Sequence, residues 1–231
     1  MKAIQIFFNT GERIYPDEAR AMTARLFNGE QSALLDTVMN YAAGEKVSRQ
    51  GFPVVQFAGS TNGFSINGFG EMGVAAARDV APLIHKKMAK ETNKVITLTQ
   101  RVVDLSVEYR PYGIEYTVPR MVVQKHPRHL ESMRDPVKGA EHLENLFLNS
   151  LKRQAEALGI ELPSNLKATY KSSTGTFNVK PSKGSKVALL GLRNATFELN
   201  ARLSGIWACG FLMSKGYGNF NADLQLGTMG G

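Results

Sequence analysis

The chain has 231 residues, 43% hydrophobic and 21% charged, which suits one large or two small globular domains with ample core. No apolar run approaches the roughly 20 residues that a spanning helix needs, no secretory leader pattern heads the sequence, and the single cysteine, Cys209, excludes an internal disulfide, so a cytoplasmic protein is expected. The net charge of +8, from 28 basic against 20 acidic residues, points to a polyanionic partner: nucleic acid or an anionic surface.

Met1–Phe8 reads as a strand, and Tyr15-Pro16-Asp17-Glu18 as a helix entry, with proline in the first turn and acids at the positive end of the dipole. That helix carries Arg20 and Arg25 and stops at Asn28-Gly29; a second, Ser32–Tyr41, buries Leu34, Leu35 and Val38. Two apolar runs within Gly51–Gly73 meet at Asn62-Gly63, a hairpin signal, and lead into a helix over Val74–Lys90. Gly68-x-Gly70-x-x-Gly73 fits a dinucleotide fingerprint by pattern, but the only acid at the right distance, Glu91, falls at a helix end and not on a strand. Lys94–Tyr109 and Ile114–Gln124 read as a strand pair turning at Arg110-Pro111-Tyr112-Gly113, and His126–Val137 as a loop. An amphipathic helix follows over Lys138–Leu158, then strands at Lys167–Tyr170, Gly175–Val179, Val187–Leu190 and Phe197–Leu203. This mixed order is that of an α+β chain, with units expected over 1–92 and 93–231.

The last strand runs into Ser204–Phe220, SGIWACGFLMSKGYGNF, where four glycines punctuate apolar and aromatic residues around one charge, Lys215. Such a segment is a strand feeding a glycine-rich loop, whose amides bind phosphate or, more blandly, only allow a tight bend. Between Leu162 and Phe197 there is no acid, while Lys167, Lys171, Lys180, Lys183, Lys186 and Arg193 are all present. A surface of that sign attracts a phosphate backbone.

The four histidines, at 85, 126, 129 and 142, have no ligand partners at metal spacing, so no metal and no cofactor is expected. RNA cleavage by internal attack asks for less: a 2′-hydroxyl aligned with its phosphate, assistance to its deprotonation, and stabilisation of the charge that develops. Arg20, Arg25, Tyr41, Lys46 and Arg49 supply suitable groups in one N-terminal segment.

Ser214-Lys215-Gly216-Tyr217-Gly218 resembles the glycine-rich signature of the CRISPR repeat-processing endoribonucleases of the RAMP superfamily, the Cas six-type enzymes, type IV members included. The strand Gly51-Phe52-Pro53-Val54-Val55-Gln56-Phe57, followed by Ile66-Asn67-Gly68-Phe69-Gly70, is similar to a second family motif. The resemblance implies two tandem ferredoxin-like (RRM-like) units packed side by side, with a C-terminal glycine-rich loop at 204–220. It implies metal-independent cleavage at the base of a repeat stem-loop, leaving a 2′,3′-cyclic phosphate, and retention of the product RNA within a class 1 effector complex, away from any membrane. On this reading Arg20, Arg25, Tyr41, Lys46 and Arg49 are the catalytic candidates. Lys215, Gly216, Tyr217, Gly218 and the six cations of the acid-free segment hold RNA, with Arg128 or Arg134 entering the groove of the stem. Many members carry a general-base histidine before the Pro-aliphatic-Gln strand; Asn40–Gln50 contains none, as in some type IV members. A non-catalytic guide-RNA-binding subunit and a purely scaffolding protein remain as alternative readings. The loop is assigned the grip, and the opposite end of the chain the cutting.

Overall fold

The structure, a computed structural model, describes residues 1–42, 51–125, 127–180 and 185–226, apart from the side chains of 127–129, 132 and 226. It divides into two compact units: Met1–Asp104 together with Ser214–Gly216, and Leu105–Met213 together with Tyr217–Gly231. None of the described helices is long and apolar enough to cross a membrane.

In the first unit the elements are β1 (Lys2–Asn9), α1 (Pro16–Leu26), α2 (Ala33–Met39), β2 (Val55–Ser60), β3 (Gly63–Phe69), α3 (Gly70–Thr92) and β4 (Thr97–Asp104). The strands form one antiparallel sheet in the order β2-β3-β1-β4, the ferredoxin-like arrangement. The expected Asn62-Gly63 hairpin is present, Ser60 facing Gly63. Period-2 alternation along β1 sends Ile4, Ile6 and Phe8 into a core with Phe57, Phe64 and Ile66, covered by Val80 and Ile84 of α3. Phe8 stacks on Phe64 across the strands, ring centroids 4.6 Å apart. The glycines of the apparent dinucleotide motif serve close packing instead. A Cβ on Gly68 would stand 2.2 Å from the Gly73 carbonyl oxygen, and one on Gly73 2.2 Å from that of Val54. Only bare backbone lets α3 start so close to the sheet.

The second unit contains β5 (Ser106–Val122), α4 (Pro127–Arg134), α5 (Pro136–Leu158), β6 (Ala168–Ser172), β7 (Gly175–Val179), β8 (Leu189–Ser204), β9 (Ile206–Ala208), β10 (Asn219–Asn221) and α6 (Ala222–Leu226). Its main sheet runs β5-β8-β6, with β7 also on β8, all antiparallel. With β6 and β7 lying in succession along one side of β8, the long β8 is the central strand, and the arrangement is again ferredoxin-like. Three sequence expectations are corrected here. Lys94–Tyr109 and Ile114–Gln124 are not two arms of a hairpin. The first contributes β4, which pairs with β1 from Lys2↔Asp104 to Asn9↔Thr97, and Arg110–Gly113 is an irregularity inside the single strand β5. Val187–Leu190 and Phe197–Leu203 merge into one strand, β8, long enough to span the whole of β5. The segment 127–134, expected as a loop, is helical.

Helix α5 follows its sequence closely. Asp135 caps it by accepting from the amides of Val137 and Lys138, Pro136 occupies the first turn, and Gly159 closes it in the left-handed region at φ 64°. Its buried stripe, Leu143, Leu146, Phe147, Leu151, Ala155 and Leu158, lies on the sheet, where Phe147 stacks on Phe197 at 4.3 Å.

Candidate functional site

Two polar residues interrupt the apolar stripe of α5, and both hold the glycine-rich segment. Gln154 donates to the Ile206 carbonyl and accepts from the Ala208 amide, each at 3.0 Å, so β9 is clamped on both sides of Trp207. Ser150 accepts from the Gly210 amide at 3.0 Å while donating to the Leu146 carbonyl of its own helix. Both side chains are fully buried, where an unmade hydrogen bond is costly. Sequence reading did not single them out; the available signal is a polar pair four residues apart on an otherwise apolar face.

Past Gly210 the chain makes a short 3-10 turn, Met213–Lys215, and Ser214–Gly216 belongs to the first unit. Gly216 sits there at φ 86°, and a Cβ on it would lie 2.0 Å from the Phe57 carbonyl oxygen and 2.8 Å from the Pro16 side chain. Glycine is therefore required on two counts, conformation and space. The turn sets Lys215 at the start of α1, half-buried, near Asp17 and Arg20. Burial, and then the neighbouring Arg20 charge, push the Lys215 amine below the usual lysine range, with Asp17 opposing.

Arg20 projects from α1 and is half-buried. One guanidinium nitrogen donates to the Met39 carbonyl at 2.7 Å, and the group lies 5.4 Å from the centre of the Tyr41 ring. Its Nε–H is buried and finds no acceptor among the described residues. Two cations thus stand together, one with an unanswered donor and one whose charge the site disfavours. Both defects are those that a bound anion repairs. Arg20, Tyr41 and Lys215, from opposite ends of the chain, are brought together in one unit, which the sequence reading had kept apart. Arg25, five residues on from Arg20, is exposed and lines a separate cavity that Tyr41 also borders.

Lys46, Arg49 and Lys183 lie outside the described residues, as does the Arg128 side chain. Tyr217 is 1% exposed and stacks on Phe177 in the core of the second unit, ring centroids 5.9 Å apart, with the Arg120 guanidinium 4.3 Å from the Phe177 ring. The Gly218 amide donates to the Arg120 carbonyl at 2.7 Å. In the signature Ser-Lys-Gly-Tyr-Gly, therefore, Tyr217 and Gly218 carry packing, and Lys215 is the residue with a polar group at a site. Lys167, Lys180, Lys186 and Arg193 are exposed, as is Arg134, while Lys171 is tied to Glu198 at 2.8 Å. His85 and His142 bond the carbonyls of Ile96 and Val123, at 2.8 and 3.0 Å, and act as structural side chains.

The family described as type IV CRISPR-associated endonuclease Csf5 matches residues 1–224. Among solved structures, a "Csf5, CRISPR-Cas type IV Cas6 crRNA endonuclease" superposes with a TM-score of 0.71 at 17% identity, covering 96% of this chain and 100% of that one. A Cas6b crystal structure follows at TM-score 0.66 and 13% identity, with the same coverages. A Cas6b described as a CRISPR RNA processing endoribonuclease gives 0.61 and 14%, over 94% of this chain and 97% of the other. No curated protein matches significantly. These likenesses show the fold as that of Cas6, tandem ferredoxin-like units, and the match over 1–224 settles the family: the chain belongs to the type IV Csf5 group of Cas6-type CRISPR RNA endonucleases.

Proposed function

We propose that the chain matures CRISPR precursor RNA by cutting within the repeat, at the base of a stem-loop, without a metal ion. The ribose 2′-oxygen attacks the adjacent phosphorus, the bond to the 5′-oxygen breaks, and a 2′,3′-cyclic phosphate is left. The 2′-hydroxyl proton is lost to a base as the attack proceeds, and the 5′-oxygen takes up a proton as it leaves. Arg20 and Lys215 bind the phosphate, their charges opposing the negative charge that grows on its oxygens. Tyr41, whose ring Arg20 holds, orients the 2′-hydroxyl; Arg25, Lys46 and Arg49 are further candidates nearby in sequence. Lys167, Lys180, Lys183, Lys186 and Arg193, with Arg128 or Arg134, hold the RNA backbone. The product stays bound, and the protein acts in the cytoplasm as a subunit of a class 1 effector complex.

The observation that carries this reading is the buried Arg20 Nε–H with no acceptor among the described residues, beside a lysine whose charge is disfavoured. A phosphodiester supplies an acceptor to the first and adds its negative charge to that of Asp17 beside the second.

The test is incubation of the purified protein with its repeat RNA in the presence of a chelator. One site-specific cut, with a product that carries a cyclic phosphate, is expected. Tight binding with no cut sinks the reading and leaves a guide-RNA cap. Cleavage that chelation abolishes removes the metal-independent mechanism.

A further inference from the structure

A cavity of about 380 Å³ opens in the first unit between α1 and α2. Its floor is apolar, made of the buried side chains of Phe27, Leu35 and Met39; Tyr41 adds an aromatic ring, and the polar part of the lining carries both signs, exposed Arg25, Gln31 and Glu30 with half-buried Asp36. Lys87 lies over the Phe27 ring, 4.8 Å from its centre, and fixes that part of the floor. The cavity is not isolated from the cation pair. Arg20 donates to the Met39 carbonyl and lies against the Tyr41 ring, so the arginine that carries the unanswered donor also orders two residues of the cavity lining.

We propose that this cavity takes a single unpaired nucleobase of the substrate RNA, the neighbour of the phosphate bound by Arg20 and Lys215. This rests on the endonuclease reading given above. A nucleotide presents a flat, largely apolar ring with a polar edge, one sugar away from an anion. The site presents an apolar slot with an aromatic ring and a polar lining of both signs, next to two cations. Bases within a duplex are stacked and cannot enter such a slot, whereas splayed single-stranded bases stack on aromatic rings and are read at their edges. The cavity therefore selects RNA in which the nucleotide beside the cut is unpaired, and Gln31 and Arg25 are placed to choose among bases.

The experiment is an abasic scan. Repeat RNAs lacking one base at a time around the cut are titrated against the wild type and against Ala24→Trp, which fills the cavity from its exposed α1 wall. In the wild type one abasic position is expected to weaken binding about tenfold, the scale of one base–aromatic stack. In Ala24→Trp that penalty disappears and the other positions are unaffected. Gln31→Ala, which leaves the apolar floor intact, is expected to lower discrimination among the four bases at the same position and serves if Ala24→Trp fails to fold. Cleavage by the wild type with no sensitive position overturns the pocket and leaves the endonuclease reading standing. So does a penalty that persists in Ala24→Trp, or base discrimination unchanged in Gln31→Ala. A wild type that neither binds nor cuts repeat RNA overturns both.

Discussion

Arg20 and Lys215 do different work although both are cations. Arg20 is anchored by the Met39 carbonyl and the Tyr41 ring, so its fork is already oriented when substrate arrives and loses little entropy on binding. Arg20→Ala is expected to lower the single-turnover cleavage rate about 10²- to 10³-fold, as loss of one transition-state donor does. Arg20→Lys is expected not to rescue it, since a point charge cannot reproduce the fork; melting temperatures identify any variant that acts by unfolding. Lys215 carries a stability signature of its own. Its amine is pushed down by burial and by Arg20, so the folded state disfavours the charged form. The unfolded chain then binds more protons between the lowered value and the ordinary lysine value, and stability rises with pH through that window. Lys215→Met should therefore cut more slowly, by about tenfold or more, yet melt higher at neutral pH. That gain should vanish above the ordinary lysine range, as thermal melts across pH would read. A lower melting temperature at neutral pH contradicts this account of the site.

At the scale of elements, the glycine-rich segment is a positioning device. Gln154 and Ser150 of α5 fix its first half through buried hydrogen bonds, and Gly216 lets the turn pass against Phe57 and Pro16. Leu212, just before the turn, holds φ 60°, a conformation that costs a branched residue on the order of 1–3 kcal/mol and persists where packing imposes it. Gly216→Ala adds a Cβ that backbone atoms exclude, at a φ that alanine avoids. We expect it to destabilise by about 1–3 kcal/mol and to lose cleavage beyond what stability explains, because Lys215 moves with the turn. Chemical denaturation alongside single-turnover rates separates the two effects. Wild-type activity in a stably folded Gly216→Ala protein would show that the position of Lys215 does not matter.

Over the whole molecule, charge is distributed unevenly, and the acid-free segment holds exposed Lys180, Lys186 and Arg193, whereas Lys171 is compensated by Glu198. Replacing the first three together by alanine should reduce the slope of log affinity against log salt by about 2, while Lys171→Ala should leave it nearly unchanged. Salt titrations of RNA binding check both. Much of the fold was legible in local pattern. Pro16 with Asp17 and Glu18 started α1, the Leu143–Leu158 stripe drew α5, Asn62-Gly63 turned the hairpin, and the Ser214–Gly218 signature pointed to the family. These signals reside in near neighbours, where propensity, capping and periodicity act. What local pattern left open was decided by partners far away in the chain. β4 joins β1 across roughly ninety residues because its register completes the first sheet, and Arg110–Gly113 stays within β5 because β8 runs its whole length. Tyr217 turns inward because Phe177 and Arg120 provide a place for its ring. The candidate site was legible only as residue types. By itself the sequence determined the locally signalled elements, such as α1, α5 and the first hairpin, together with the charge and the family signature. Tertiary structure alone decided that Lys215 lies beside Arg20, since a contact between residues almost two hundred positions apart depends on how sheet, helix and glycine turn pack together.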